Sequence, residues 1–258
     1  MEAWIEFGRG ALFRLAFSLM ALGLLRIFLL TIVGVAKAYG RSPDKIVARR
    51  EIGRQTLAWL VPVSRLWRKR PLYSSTSFLF HVGLLLVPFF LAAHVLLCQR
   101  STGLAWPAIP QKLADWLALL TIAAGLGLFC GRLLDPRARA LSRRQDYLWP
   151  LLLVVPFATG YICSNAAIGP RTYQVMMLFH VYSGDLIMLM IPFTKIAHCV
   201  LAPLSQLVTA VSWKFVPGAG DKVAATLGRA DRPSWRDKAR LGGEIAPPVP
   251  ERKEVWAR

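Results

Sequence analysis

The sequence predicts an all-α integral membrane protein, a bundle of five spanning helices, and three observations carry that prediction. Of 258 residues, 55% are hydrophobic and 18% charged, with a mean hydropathy of +0.44, whereas a soluble domain carries about 25% charged residues. The apolar residues gather in runs of about 18 or more, the length that crosses a bilayer. The charge is lopsided, 32 Lys and Arg against 14 Asp and Glu for a net +18. The bases lie between the apolar runs and are not interleaved with aromatics on one surface, which excludes a nucleic-acid-binding face.

The spans fall at about 11–36, 77–98, 113–134, 147–164 and 174–201. The first has no small-residue cleavage site and fits a retained helix rather than a removed signal peptide. The last exceeds what a bilayer needs and is expected to tilt or protrude. No inverted repeat of the transporter kind is visible. Counting bases fixes the orientation: residues 37–76 hold 10, 132–146 hold 5 and 202–258 hold 10, against Arg9, Arg100, Lys112 and Arg171 on the other side. Basic loops stay in the cytoplasm, so the amino terminus is predicted outside and the carboxyl terminus inside, in the inner (cytoplasmic) membrane. Residues 1–210 then form the spanning domain, with 37–76 as its basic cytoplasmic segment. Within that segment, 44–67 mixes apolar and basic residues at helical spacing, as a membrane-surface helix or a docking site for a soluble partner does. Residues 211–258 are rich in Gly, Pro and charge and form an extended or partner-ordered tail.

The chain has four histidines, and all fall within spans: His81 and His94 in the second, His180 and His198 in the fifth. Ionisable residues inside a bilayer are costly and mark function by default. His180 and His198 are 18 residues apart, which on one continuous helix is about five turns, so both leave the same face roughly 27 Å apart. Antiparallel crossing of the two spans pairs His94 with His180 near the outer face and His81 with His198 near the inner. Paired imidazoles at two levels are the arrangement of two bis-histidine b-type haems, whose iron changes oxidation state by one electron without taking up oxygen. Zinc fits less well, because no Cys, Asp or Glu completes a cluster at either level. No Cys-x-x-Cys-His run provides covalent attachment. One spacing resists: 13 residues place His81 and His94 about 140° apart on an ideal helix, and Pro88 between them is the available kink.

These residues resemble a known family. FHVGLL opening the second span, RLLDPRARALSRRQDYLWPLLLVVPFATGYI across the third and fourth, and LFHVYSGDLIMLMIPFTKIAH in the fifth are similar to the gamma, cytochrome b subunit of respiratory nitrate reductases. They also resemble related dihaem membrane anchors of heterodisulfide-reductase-like and sulfate-reducer redox complexes. The resemblance covers roughly residues 10–205. It implies a subunit that exchanges electrons with a menaquinone-type quinone and passes them through two haems b to or from an iron–sulfur partner and the catalytic subunits of a respiratory complex. It also implies His94 and His180 as outer ligands and His81 and His198 as inner ones. The second-span ligands of the nitrate reductase branch lie closer together than 13 residues, which points to a more distant branch.

Other residues carry expectations of their own. Arg26, deep in the first span, is expected to pair with a haem propionate or with Asp185, or to make a plain polar contact between helices. Asp185, five residues after His180, is a possible proton relay for a quinone or a buried polar contact. Lys195, Arg132, Arg143 and Arg144 lie where topology charges or inner propionate partners belong. Pro150, Pro156 and Gly160 suggest a bent fourth span with a close approach. Cys98, Cys130, Cys163 and Cys199 have no paired spacing, so iron–sulfur chemistry is expected on another chain; a Cys98–Cys163 disulfide is chemically allowed. Trp106, Trp116 and Trp149 fit an interfacial belt. No residue is assigned bond-breaking chemistry. The competing readings are a haem-free anchor that tethers a cytoplasmic complex, and a proton-coupled transporter.

Overall fold

A computed structural model describes residues 1–41, 49–60 and 70–212, and these are helical, with no strand among them. The helices are α1 (Glu2–Phe7), α2 (Phe13–Arg41), α3 (Arg49–Leu60), α4 (Pro71–Phe90), α5 (Ala92–Thr102), α6 (Gln111–Leu134), α7 (Pro136–Leu141), α8 (Arg144–Asn165), α9 (Pro170–Met190) and α10 (His198–Ser212). A π-helical turn, Gly8–Leu12, joins α1 to α2. Five segments are long and apolar enough to cross a membrane: Glu2–Arg41, Pro71–Phe90, Gln111–Leu134, Arg144–Asn165 and Pro170–Phe193. Their apolar surface faces outward, with Leu22 63%, Trp116 72% and Phe179 58% exposed. Contiguous apolar surface on that scale requires apolar surroundings, which supports a multi-pass membrane protein.

The chain divides into two compact units, Met1–Phe28 with Leu57–Pro203, and Leu29–Thr56 with Leu204–Arg258. In the second, the Arg54 guanidinium and then the Gln55 amide donate to the Glu51 carboxylate on α3 and hold it down at about 2. The predicted surface segment is helical over Arg49–Leu60; its remainder, with Lys45 and Arg65, the neighbouring Arg68 and Lys69, and the tail 213–258 lie outside the described residues.

The first unit holds all four histidines. Packing there follows the small residues of α6. Ala114, Ala118, Thr121, Gly125 and Leu128 recur every three or four positions and are buried, one stripe along one helix face. In lipid, helices associate through close packing of such residues and not through burial from water. One side of α6 meets α4, where Gly83 admits Thr121: a Cβ at Gly83 would collide with the threonine Oγ1. The other side meets α8, which packs on α9. Phe80, Ala124, Leu128, Leu153 and Ile187 close the core between these four helices. Span one joins α9 in parallel, with Gln174 Nε2 3.4 Å from Glu2 Oε1 and a Cβ at Gly8 landing on Val181. First and fifth spans that run the same way are what a five-span chain requires.

Two predicted spans are not the single helices expected. The stretch 77–98 breaks at Leu91, which is extended (φ −65°, ψ 130°), so His94 belongs to a separate helix, α5. Pro88, without an N–H, already weakens the end of α4. The stretch 174–201 also breaks: α9 ends at Met190, two 3-10 turns follow (Ile191–Phe193 and Lys195–Ala197) around an extended Thr194, and His198 opens α10. Pro192 removes one helical donor there. The premise of five continuous turns between His180 and His198 therefore fails. The first helical segment also starts earlier than expected, at Glu2, which brings Arg9 inside it.

Candidate functional site: two imidazole pairs

The break at Leu91 solves the angular problem posed by the 13-residue spacing. It turns α5 so that the His94 ring faces His180, with ring centroids 5.9 Å apart and planes 9° from parallel. At the other level His81 faces His198, centroids 6.0 Å apart and planes at 79°. The predicted pairing is thus the one the fold makes, although neither histidine-bearing span is one helix.

A helix broken within a membrane leaves carbonyls without donors, and these must be satisfied by the protein. The Phe89 carbonyl accepts from Trp106 Nε1 at 2.6 Å and the Phe90 carbonyl from the Ile109 amide at 2.9 Å. Val87 O, one turn back, lies 3.4 Å from His94 Nδ1. Trp106, expected only as a belt residue, therefore caps the break that aims His94. Nothing local in the sequence signals that role, because the bond closes over 17 residues.

The other three histidines are held in the same manner and more tightly. His81 Nδ1 lies 2.7 Å from Ser77 O, His180 Nδ1 2.8 Å from Pro156 O, and His198 Nδ1 2.8 Å from Lys195 O. A carbonyl can only accept, so in each bond Nδ1–H donates and Nε2 keeps its lone pair. Ligating histidines are oriented by this kind of outer bond. Gly160 makes one of them possible: a Cβ there would come 2.7 Å from His180 Cε1 and 2.9 Å from Nδ1. The close approach expected at Gly160 is the His180 ring itself.

The gap between paired rings is a test of what fits. Metal–imidazole bonds of about 2.0 Å, plus roughly 1.1 Å from nitrogen to ring centre on each side, separate two axial rings by about 6.2 Å. The observed 5.9 and 6.0 Å match that spacing. Among the described residues there is no group of three or more His, Cys, Asp or Glu that could hold a bare ion. A porphyrin supplies four nitrogens of its own and needs two from the protein.

The inner pair opens on a cavity of about 260 Å³, lined by Phe80, Leu128, Arg132, Asp146, Trp149 and Lys195. Arg132 lies within electrostatic reach of Asp146, yet its Nη1 is buried there with no hydrogen-bond partner and has a donor left for an acceptor. Lys195 Nζ donates to both Asp146 carboxylate oxygens at 2.7 and 2.9 Å and so ties the segment before His198 to the start of α8. The only local signal of Asp146 in the sequence is its place in the first turn of a helix.

The remaining candidates are placed differently. Arg26 is exposed on α2 and does not pair with Asp185. Asp185 is 3% exposed, and its Oδ2 has no partner. All four cysteines are free, Cys98 and Cys163 included.

Over 166 residues the chain is 33% identical to a protein of Nitratidesulfovibrio vulgaris (strain Hildenborough), an alignment covering 64% of this chain and 72% of that one. The chain belongs to that protein's family. The relative is designated only "Protein", so membership brings no activity with it. No family model matches the chain, and no solved structure matches it.

Proposed function

We propose that this chain is a dihaem cytochrome b subunit, multi-pass in the inner membrane, with its amino terminus outside and its carboxyl terminus in the cytoplasm. It exchanges electrons between a menaquinone-type quinone and an iron–sulfur partner of a respiratory redox complex. The observation that carries the reading is the double imidazole pair: two facing sets at 5.9 and 6.0 Å, each ring braced through Nδ1 with Nε2 left free. When bound, a haem at each level supplies a one-electron carrier, and the protein tunes it through ligand identity, hydrogen bonding and burial.

The chain's own residues divide the remaining work. His94 and His180 hold the outer group, and His81 and His198 the inner one. Ser77, Pro156 and Lys195 carbonyls fix the ring orientation and add basicity to Nε2. Arg132 presents a buried, unpartnered N–H to the inner cavity, which would hold a haem carboxylate there. Lys195 and Asp146 hold the entry to His198. Asp185, buried on α9, is available to move a proton when quinone chemistry requires one. The quinone and the iron–sulfur partner rest on the resemblance of the fifth span. The basic residues of 37–76 and of the tail, on the side predicted to be cytoplasmic, suit a soluble partner.

The test is spectroscopic. The detergent-purified protein is expected to show a b-type reduced-minus-oxidised spectrum with about two haems per chain. A folded, helical preparation without haem overturns the reading.

A further inference from the structure

Two residues that the dihaem reading leaves unused, Gly8 and Arg9, occupy an unusual piece of backbone. The turn Gly8–Leu12 is π-helical, and such single-turn bulges, rare in α-helices, recur at functional sites because they re-aim a side chain. The turn is seated firmly on α9. A Cβ at Gly8 would lie 2.5 Å from Val181 Cγ1 and 3.3 Å from the Tyr182 ring, and Tyr182 Oη donates to Trp4 O at 3.1 Å. Val181 directly follows His180, so the bulge seats the start of the first span on the part of α9 that carries His180, and Arg9 acts electrostatically on that histidine.

Arg9 is set apart from every other cation at that end. Arg100, Lys112 and Arg171 are exposed, whereas Arg9 is half-buried. Its guanidinium lies within electrostatic reach of both His180 and Cys163. Among the described residues no carboxylate pairs with it. A half-withdrawn guanidinium with five donors and no anion beside it is a carboxylate receptor in waiting.

We propose that Arg9 binds a carboxylate of the haem held between His94 and His180 and raises that haem's midpoint potential. The inference rests on the dihaem reading. A fixed positive charge beside the group favours its reduced form, which carries one positive charge fewer, and the effect is strong where water is scarce. At the inner level the cation with an unpartnered donor is Arg132, since Lys195 is engaged by Asp146, so each level has its own cation.

The experiment is a redox titration of the purified complex followed in the haem absorption bands, with the outer haem identified as the one lost in H180A. R9Q is expected to lower the outer midpoint and leave the inner one in place, with about two haems per chain retained. R9K, which keeps the charge, is expected to keep the outer midpoint near the native value. R14Q, which removes an exposed cation on the same span, is expected to move neither. Unchanged midpoints in R9Q with both haems present overturn the proposal and leave the dihaem reading intact, as does a change confined to the binding of a quinone analogue. An equal fall of both midpoints overturns it too. Absence of haem from the native protein overturns the dihaem reading instead.

Discussion

The outer and inner imidazole pairs are separated by nearly the same distance but are built by different means. The outer rings, His94 and His180, are nearly parallel, half-buried, and positioned by two departures from regular packing: the chain break at Leu91 and the missing side chain of Gly160. The inner rings, His81 and His198, are nearly perpendicular, and His198 is exposed at the first position of α10. That pair is surrounded by Arg132, Lys195 and Asp146. The outer pair is thus a packing construction, and the inner pair an electrostatic one at the predicted cytoplasmic boundary. Two levels built so differently are expected to respond separately to substitution.

The largest effect separates the two levels outright. H94A or H180A is expected to reduce haem content from about two to about one per chain, and H81A or H198A to remove the other haem. Absorption spectra and haem extraction, normalised to protein, read the result. Loss of both haems from each of the four variants, with helicity retained by circular dichroism, would break the comparison, because it would make the two levels one site.

A smaller effect is expected from Gly160, and only at the outer level. In G160V the added side chain strikes the His180 ring. Overpacking of this kind costs about 1–3 kcal/mol when the surroundings must shift. The outer haem is therefore expected to be partly lost, and the Nδ1 bond to Pro156 O broken, while the inner haem remains at full occupancy. G169V, at a glycine with open space around it, is the control. Equal loss of both haems in G160V would show that α8 supports the two levels jointly.

Much of this was legible in the sequence, for a physical reason: hydropathy, charge counting and the confinement of every histidine to two spans are properties of composition and order. They locate five spans and pair the histidines by antiparallel crossing. What the sequence hid was local. A spacing of 18 residues gives five turns only on an unbroken helix, and the chain instead breaks at Pro192 and Thr194, yet His198 still reaches His81. A spacing of 13 residues leaves a misfit of about 140° on an ideal helix, and Pro88 is the visible kink. The correction occurs three residues later, at Leu91, and is held by Trp106 and Ile109 from the following loop. Contacts over such separations leave no periodic trace. Arg9 counts by sequence among the outer end charges, because a π-helical turn has no sequence signature that distinguishes it from an ordinary first turn. Arg26 drew attention by its depth in the first span, but depth does not say which side of a helix faces the bundle.

The finest distinction removes nothing and reads only ring orientation. When two axial imidazoles are parallel, both donate into the same iron d orbital of π symmetry and split it from its partner. When they are perpendicular, each orbital receives one ligand and the two stay nearly degenerate. On the dihaem proposal, an oxidised haem held by the outer rings, 9° from parallel, would give a rhombic low-spin electron paramagnetic resonance signal. One held by the inner rings, at 79°, would give a strongly anisotropic signal with its largest g value at lower field. Low-temperature spectra of the oxidised protein, repeated on H180A and H198A to assign each signal, check this. Removal of the outer ligand should leave only the anisotropic signal, and removal of the inner ligand only the rhombic one. Two signals of the same type would mean that the rings rotate when the iron binds, and that the two levels differ in their surroundings but not in their ligand fields.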